Sequence, residues 1–549
     1  AGSRGSRAPL PPPKVFFPPS RSAKMFRVPR VVRQVQARLQ TTQAAAKAAA
    51  APAAAAAPST LPAQSFSIVK FEKEDVGQVM TELPAYNFYE IKEPVPNPYK
   101  GSTMDRSILL DPPQPKLVAP KTEFSELENG LKIASVDKQG LMSQLGLFVN
   151  AGSRFEDSSN FGVSHMVSMM GYNSTAHLSH LRTVKTLEQL GANATSMCKA
   201  GREETVYQVQ VLREMVPLVV PLMVGNILFP RLVPWEVKAA HKKVKEATEA
   251  LGKDADATVS ELLHKAAYCN NTLGYSTLAS DRSMAYFTPE TMRSYMLDHF
   301  APERMVLVGV NVEHSELCKW AMRSFADYNA IPMKPRPEPK ASYTGGDLRL
   351  EGPSPFCHLA VGLESAPWGQ QELAPISLLQ TILGGGSAVS AAPGSGVTSR
   401  LARQVLKKGA GVESCAAFTT SYSDSGLFGV YGVSQPTDAG EMASAIFSSL
   451  KGLTSVTQEE LTKAKAVLKG KLYRECEDPA TMMQDIGTQV LLSGRYGSPA
   501  DFAKVIDGVT DSQVTAAAKK LLASKPTIAA YGDTHKVPHY AAVEAALKA

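Results

Sequence analysis

The chain has 549 residues, room for about two to four domains of ordinary size, each burying its own core. Its formal net charge of +7 is concentrated at the N-terminus: residues 1–40 hold nine of the 58 Lys and Arg and no acid, and the rest carries a net charge of −2. That balance gives no electrostatic reason to expect binding of nucleic acid or of an anionic membrane. No stretch reaches the roughly 18 apolar residues of a membrane-spanning helix. The six cysteines, Cys198, Cys269, Cys318, Cys357, Cys415 and Cys476, form no CxxC pair and no metal-type cluster, so reduced, buried thiols are expected.

From Met25 the chain reads MFRVPRVVRQVQARLQTTQ, with Arg27, Arg30, Arg33 and Arg38 interleaved among Val28, Val31, Val32 and Val35. Arginine-rich, acid-free, amphipathic sequence is what a mitochondrial transit peptide needs. Residues 1–41 are therefore expected to be upstream sequence and a targeting peptide, cut close to Arg38-Leu39-Gln40. Residues 42–63 are Ala-rich and Pro-interrupted, and a disordered spacer is expected. Residues 64–124 carry Phe88, Tyr89 and Ile91, then Pro94, Pro96 and Pro98. They are too apolar for a free linker and too Pro-rich for a domain, and are expected to run along a surface, either of this chain or of a partner.

The remainder reads as two similar halves, residues 125–330 and 345–549. Between them, residues 331–344 include Pro332, Pro335, Pro337 and Pro339, which favour an extended, semi-rigid linker. In the first half, strands are predicted at 144–150 and 205–211, where Tyr207, Val209 and Val211 alternate with Gln208 and Gln210. The uncharged run 215–230 is predicted to be a buried core helix. Thr288 is the expected N-cap of a later helix, with Pro289 at its first position and Met292, Tyr295, Met296 and Phe300 on one face. The second half repeats this order: strands at 358–363, 411–419 and 426–433, then a helix opened by the capping box of residues 457–460, with Leu461, Ala464, Leu468 and Leu472 on one face. The expected fold class is α+β, two similar domains, each a mainly antiparallel sheet covered by helices.

Residues 384–401 read GGGSAVSAAPGSGVTSRL. Gly384, Gly385 and Gly386, with Gly394 and Gly396 after Pro393, give a backbone free to take positive φ and to lie close against another chain. A loop is expected here, with no part in holding a core. Neither a strand followed by GxxxxGK[ST] nor a GxGxxG opening a βαβ unit accompanies it, which argues against a nucleotide site.

Ser399-Arg400-Leu401 closes that segment, and Val412-Glu413-Ser414-Cys415 and SYSDSG at 421–426 follow it. Together with LLHKAAY at 262–268, NTLG at 271–274 and YTGG at 343–346, these runs make residues 125–549 resemble the α subunits of the mitochondrial processing peptidase. That lineage also includes the core subunits of ubiquinol–cytochrome c reductase. The resemblance implies two like halves facing each other as one part of a heterodimeric shell, in the mitochondrial matrix or on the matrix face of the inner membrane. It also implies a glycine-rich loop that contacts presequences, carried over to Gly384, Gly385, Gly386, Ser387, Pro393, Gly394, Ser395 and Gly396. This sequence departs from the family pattern at Ala388, Ala391-Ala392 and Ser395, where the family has a phenylalanine, a glycine pair and a lysine. Alanine disfavours positive φ, so a stiffer loop is expected.

The catalytic β subunit of such a pair carries H-x-x-E-H on a helix and a distant glutamate. The histidines and the distant acid hold zinc, and the intervening glutamate deprotonates water. Aligned through Phe161-Gly162-Val163-Ser164, this chain has His165-Met166-Val167-Ser168-Met169. The general base is replaced by Ser168 and the second histidine by Met169, while Glu246 falls near the distant ligand. No metal and no catalytic residue are expected in this chain, with zinc in the β-subunit partner and His165 a satisfied, partly buried histidine. His177 and His180 have a clamping spacing but no cysteine or acid near in sequence, and His535 and His539 are expected to be exposed. The resemblance thus implies a chain inactive on its own that recognises presequences for a β subunit. Cytochrome b and the cytochrome c subunit of complex III are further implied partners, and nucleic acid is not. A purely structural core-protein role in complex III is the alternative.

Overall fold

Two sheets and their covering helices make up the computed structural model, which describes residues 67–69, 120–193, 198–284, 286–326, 339–387, 399–406 and 411–548. The expected leader and spacer, most of the segment 64–124, the linker over 331–338 and the centre of the glycine-rich segment lie outside the described residues.

The first sheet is built from β1 (Ser67–Val69), β2 (Thr122–Leu127), β3 (Lys132–Val136), β4 (Met142–Val149), β5 (Cys198–Ala200), β6 (Thr205–Leu212) and β7 (Met305–Val310). Their spatial order is β1-β2-β3-β7-β4-β6-β5. The second sheet uses β8 (Gly346–Leu350), β9 (Cys357–Ser365), β10 (Gly385–Ser387), β11 (Val412–Ser421), β12 (Gly426–Ser434) and β13 (Thr527–Tyr531), in the order β10-β11-β12-β9-β13-β8. The run β3-β7-β4-β6-β5 of the first sheet matches β8-β13-β9-β12-β11 of the second. In each, the first strand pairs parallel to the last and every other contact is antiparallel. The expected duplication is therefore present in the topology itself. β1, β2 and β10 are additions to that shared frame. β1 pairs parallel to β2, Ser67 opposite Ser125, so this piece of the 64–124 segment lies on the chain's own sheet.

The first half supplies helices α1 (Val163–Met169), α2 (His180–Gln189), α3 (Val216–Leu228), α4 (Pro234–Lys253), α5 (Ala255–Ala267), α6 (Pro289–His299) and α7 (His314–Phe325). The second supplies α8 (Leu373–Leu383), α9 (Ala439–Lys451), α10 (Gln458–Glu475), α11 (Pro479–Ser493), α12 (Pro499–Gly508), α13 (Asp511–Ala523) and α14 (Tyr540–Lys548). α3 is the predicted core helix, with Val219, Val220, Met223 and Val224 fully buried. Thr288 and Thr457 both form capping boxes, which satisfy backbone donors that helix starts leave free. No helix among the described residues is long and apolar enough to cross a membrane.

One face of each sheet is covered by helices of its own half, and the other face takes a helix from the opposite half. α5 lays Val259, Leu263 and Ala267 against Ala360, Leu427 and Ala529 of the second sheet. Reciprocally, α11 lays Met482, Met483, Ile486 and Val490 against Ala134, Phe148, Val306 and Val308 of the first. The approach is close: a Cβ on Gly487 of α11 would lie 2.2 Å from the Phe148 ring. Fully burying side chains of this size contributes about 1.5–3 kcal/mol each, so the exchange ties the two halves together.

Two expectations are corrected. The glycine-rich segment begins as a strand, because β10 pairs antiparallel to β11 with Gly385 opposite Ala416 and Ser387 opposite Ser414. The cysteines are all free thiols, but they are not all buried: Cys269 is exposed, and Cys198 and Cys476 are half-buried. Cys269 follows α5 with φ of 51° in the short exposed connection to the buried turn 272–274.

Candidate functional site

The degenerate motif sits on α1. Gly162 precedes that helix at φ of +87°, and a Cβ there would meet Ala279 at 2.6 Å, so only glycine fits. The buried Glu156 carboxylate holds this entry, accepting from the Gly162 and Ser164 backbone N–H groups at 2.7 and 2.9 Å and from Ser164 Oγ at 2.6 Å. Burial pushes Glu156 up to about 7 despite those donors.

His165 is 4% exposed, and its Nδ1 accepts from the Ala279 N–H at 3.4 Å. Burial lowers it to about 4, which keeps the ring neutral near physiological pH. Ser168 Oγ donates back to the His165 carbonyl at 2.8 Å, and Met169 packs half-buried against the first-half core. Glu246 is not directed at this place: its side chain is 63% exposed on α4, 3.7 Å from Lys242. The α4 residue that reaches toward His165 is Thr248, whose hydroxyl donates to the Ala279 carbonyl at 3.2 Å while the Ala279 N–H serves His165. Glu246, the acid expected near the distant ligand position, thus lies on the solvent side of the helix. A catalytic zinc typically needs three protein ligands; among the described residues no three His, Cys, Asp or Glu side chains gather in a metal-holding group.

His177 and His180 are both exposed, and the His180 ring lies 3.3 Å from the Tyr172 carbonyl. His535 and His539 are exposed in the C-terminal loop, as expected.

Of the loop residues carried over from the resemblance, Gly384, Gly385, Gly386 and Ser387 are described, whereas Pro393, Gly394, Ser395 and Gly396 lie outside the described residues. Gly384 has φ of 60° and accepts from the Ala417 N–H at 2.8 Å. A Cβ on Gly384 would lie 2.4 Å from Ser399 Cβ, and one on Gly385 would lie 2.4 Å from Ala416 Cα. These two glycines therefore serve close packing at the start of the loop. At its far end, Arg400 is buried, with Nη1 donating to the Gly452 carbonyl at 2.5 Å and Nη2 to Ser455 O at 2.6 Å and Glu460 Oε2 at 2.7 Å. Arg400, as the first cause, holds the Glu460 carboxyl at about 2. The described ends of this segment are thus a strand edge and an arginine clamp on the N-terminus of α10.

Sequence reasoning missed a cluster of charges where the halves meet. Arg154 is 3% exposed; it pairs with Glu203 of its own half and with Asp424 of the other, and donates to Pro339 O at 2.6 Å. Ser423 donates to Glu203 through its backbone at 3.0 Å and its hydroxyl at 2.7 Å. Nearby, His264 Nδ1 donates to Ser260 O at 2.7 Å, which leaves Nε2 to accept from Tyr422 Oη at 2.8 Å. Burial lowers His264 to about 3, with Arg202 adding to the effect. His264 and the 421–426 run were visible as resembling segments, but nothing in their spacing reveals that they meet.

Residues 132–281 match the family model described as Insulinase (Peptidase family M16), and residues 286–468 match the Peptidase M16 inactive domain. The chain is 32% identical to the probable mitochondrial-processing peptidase subunit alpha-1 of Arabidopsis thaliana, over 79% of this chain and 86% of that protein. It is 31% identical to the human mitochondrial-processing peptidase subunit alpha, over 78% and 85% of the two chains. Against cytochrome b-c1 complex subunit 2 of Mus musculus the identity is 32%, over 76% and 90%. With two matching domain models and relatives aligned over most of their length, the chain belongs to the M16 peptidase family, in the part of it that resembles processing-peptidase α subunits and complex III subunit 2.

Proposed function

We propose that this chain is the non-catalytic α-type subunit of a mitochondrial processing peptidase, recognising presequences of imported precursors for cleavage by a zinc-bearing β subunit. The observation that carries the reading is the state of α1: its general-base position is a serine bonded back to its own helix, its second ligand position is Met169, and the nearby acid faces solvent. A chain with that site contributes to hydrolysis by binding substrate, holding an extended peptide near the partner's metal, which is a proximity effect. Zinc belongs to the partner and none to this chain. The glycine-rich segment, from Gly384, Gly385, Gly386 and Ser387 through Pro393, Gly394, Ser395 and Gly396, is the substrate-contacting element, suspended from β10 and Arg400. The protein acts in the mitochondrial matrix or at the matrix face of the inner membrane.

A second reading is supported by the likeness to complex III subunit 2 at an identity equal to that of the processing subunits: a core subunit docked beside cytochrome b and the cytochrome c subunit. Metal analysis and presequence cleavage, on the chain alone and paired with a β subunit, test the first reading. Cleavage only by the pair, with one zinc per pair, supports it. Stoichiometric zinc and cleavage in the lone chain would overturn it.

A further inference from the structure

Two helices begin side by side on the surface of the first half. α2 starts at His180 and α4 at Pro234, and Ser174 staples them: its hydroxyl donates to Glu236 and accepts from the His180 N–H at 3.2 Å, and its carbonyl accepts from the Arg231 N–H at 2.9 Å. At this junction Leu181 is 77% exposed and Trp235 70% exposed. Single exposed apolar residues are ordinary. A tryptophan and a leucine at adjoining helix starts, surrounded by unpaired cations, are not.

Arg182, Lys185, Arg231 and Lys238 are exposed, and none has an ion-pair partner among the described residues. Lys185 follows Leu181 by four residues and Lys238 follows Trp235 by three, so each cation shares a helix face with an apolar anchor. Both helix N-termini add partial positive charge at the same spot, the acid on the first turn of α4, Glu236, is engaged by Ser174, and Glu188 lies on the last turn of α2, away from both helix starts.

We propose that this protrusion is a peripheral docking surface for an anionic lipid bilayer. Trp235 and Leu181 enter the boundary between headgroups and acyl chains, and the long cationic side chains extend to the lipid phosphates. Lysine is depleted from the cores of protein interfaces, and Trp235 and Leu181 stand mostly exposed beside lysines, which favours a lipid surface over a protein partner. The chain's near-zero charge outside the leader does not oppose this, because screening confines the attraction to about 8–10 Å at physiological salt.

The test is co-sedimentation of the full chain with phosphatidylcholine vesicles, with and without cardiolipin. The expected result is binding to the cardiolipin vesicles alone, weakened by salt, with a blue shift of tryptophan emission that disappears in Trp235→Phe, since Trp320 and Trp368 are half-buried elsewhere. Leu181→Ser with Trp235→Ser, and separately Lys185→Glu with Lys238→Glu, should each lower partitioning by about tenfold or more while leaving the circular dichroism unchanged. Equal binding to neutral vesicles, undiminished binding by either double variant, or loss of β-subunit co-purification in place of lipid binding would overturn the proposal. Because the readout is lipid binding, failure here leaves the processing role standing.

Discussion

Ser168 Oγ donates to the carbonyl of His165 one turn back on α1, at 2.8 Å. The hydroxyl occupies the place of a general base and uses its proton within its own helix. His165 itself is turned to the Ala279 backbone, so its role is packing. His165→Ala should therefore lower stability by about 1–3 kcal/mol through the lost buried hydrogen bond and leave kcat/KM of a reconstituted heterodimer unchanged. Thermal melting and steady-state kinetics on the same preparation check both. A loss of about tenfold or more in kcat/KM at unchanged stability would assign the imidazole a catalytic part.

The exchanged helices make a distinct forecast. Leu263→Ala on α5 and Met483→Ala on α11 each remove a side chain packed on the other half's sheet, and each should cost about 2–5 kcal/mol. The two halves should nevertheless unfold together in urea. Separate transitions in the parent protein would contradict the linkage through α5 and α11.

Arg154 is the buried link between the halves, and its removal strands Glu203, which is 6% exposed. Arg154→Ala should cost about 3–5 kcal/mol, because a lone buried charge is left behind. Lys471→Ala, which breaks an exposed pair with Glu475 at 3.7 Å, should change stability by no more than about 1 kcal/mol. Equal effects from the two variants, measured by denaturant titration, would argue against the inter-half network.

Acid dependence follows from the same burial. His165 and His264 titrate at about 4 and about 3 when folded, below their ordinary 6.5. Only the unfolded chain takes up those protons as pH falls from 6.5, so stability declines from there toward pH 4 and pH 3. Glu460, held at about 2 against an ordinary 4.5, adds a second decline between pH 4.5 and pH 2. Glu156 has the opposite sign: raised to about 7, it costs stability as pH rises from 4.5 to 7. Unfolding titrations should show the slope below pH 6.5 reduced in His264→Gln and the slope below pH 4.5 reduced in Glu460→Gln. Unchanged slopes would contradict these assignments.

The strands at 144–150 and 205–211, the buried helix at 215–230, the N-cap at Thr288 and the capping box at 457–460 were legible because local periodicity and cap chemistry determine them. The resemblance of residues 125–549 was legible from separated runs in order. What local patterning could not show is where distant segments meet: nothing in the α5 or α11 sequence says that its apolar face belongs to the other half, and nothing in Arg154 or Asp424 announces their pairing. Glu246 misled because position along a helix was read without its rotation, which puts Thr248 toward Ala279 and the acid toward water. Gly385 misled differently: its freedom to turn is real, but here the missing Cβ lets β10 lie against Ala416.

The most direct measurement of the central claim is presequence cleavage by the reconstituted heterodimer after deletion of residues 387–395. Closure entropy changes slowly with loop length, and Arg400 keeps its clamp on Glu460, so assembly should survive. The expected result is an intact heterodimer with a raised KM or slower processing, a partial defect because alanine at positions 391 and 392 disfavours positive φ. Unchanged cleavage by an intact heterodimer lacking the segment would contradict a presequence-contacting role and leave the core-subunit reading in its place.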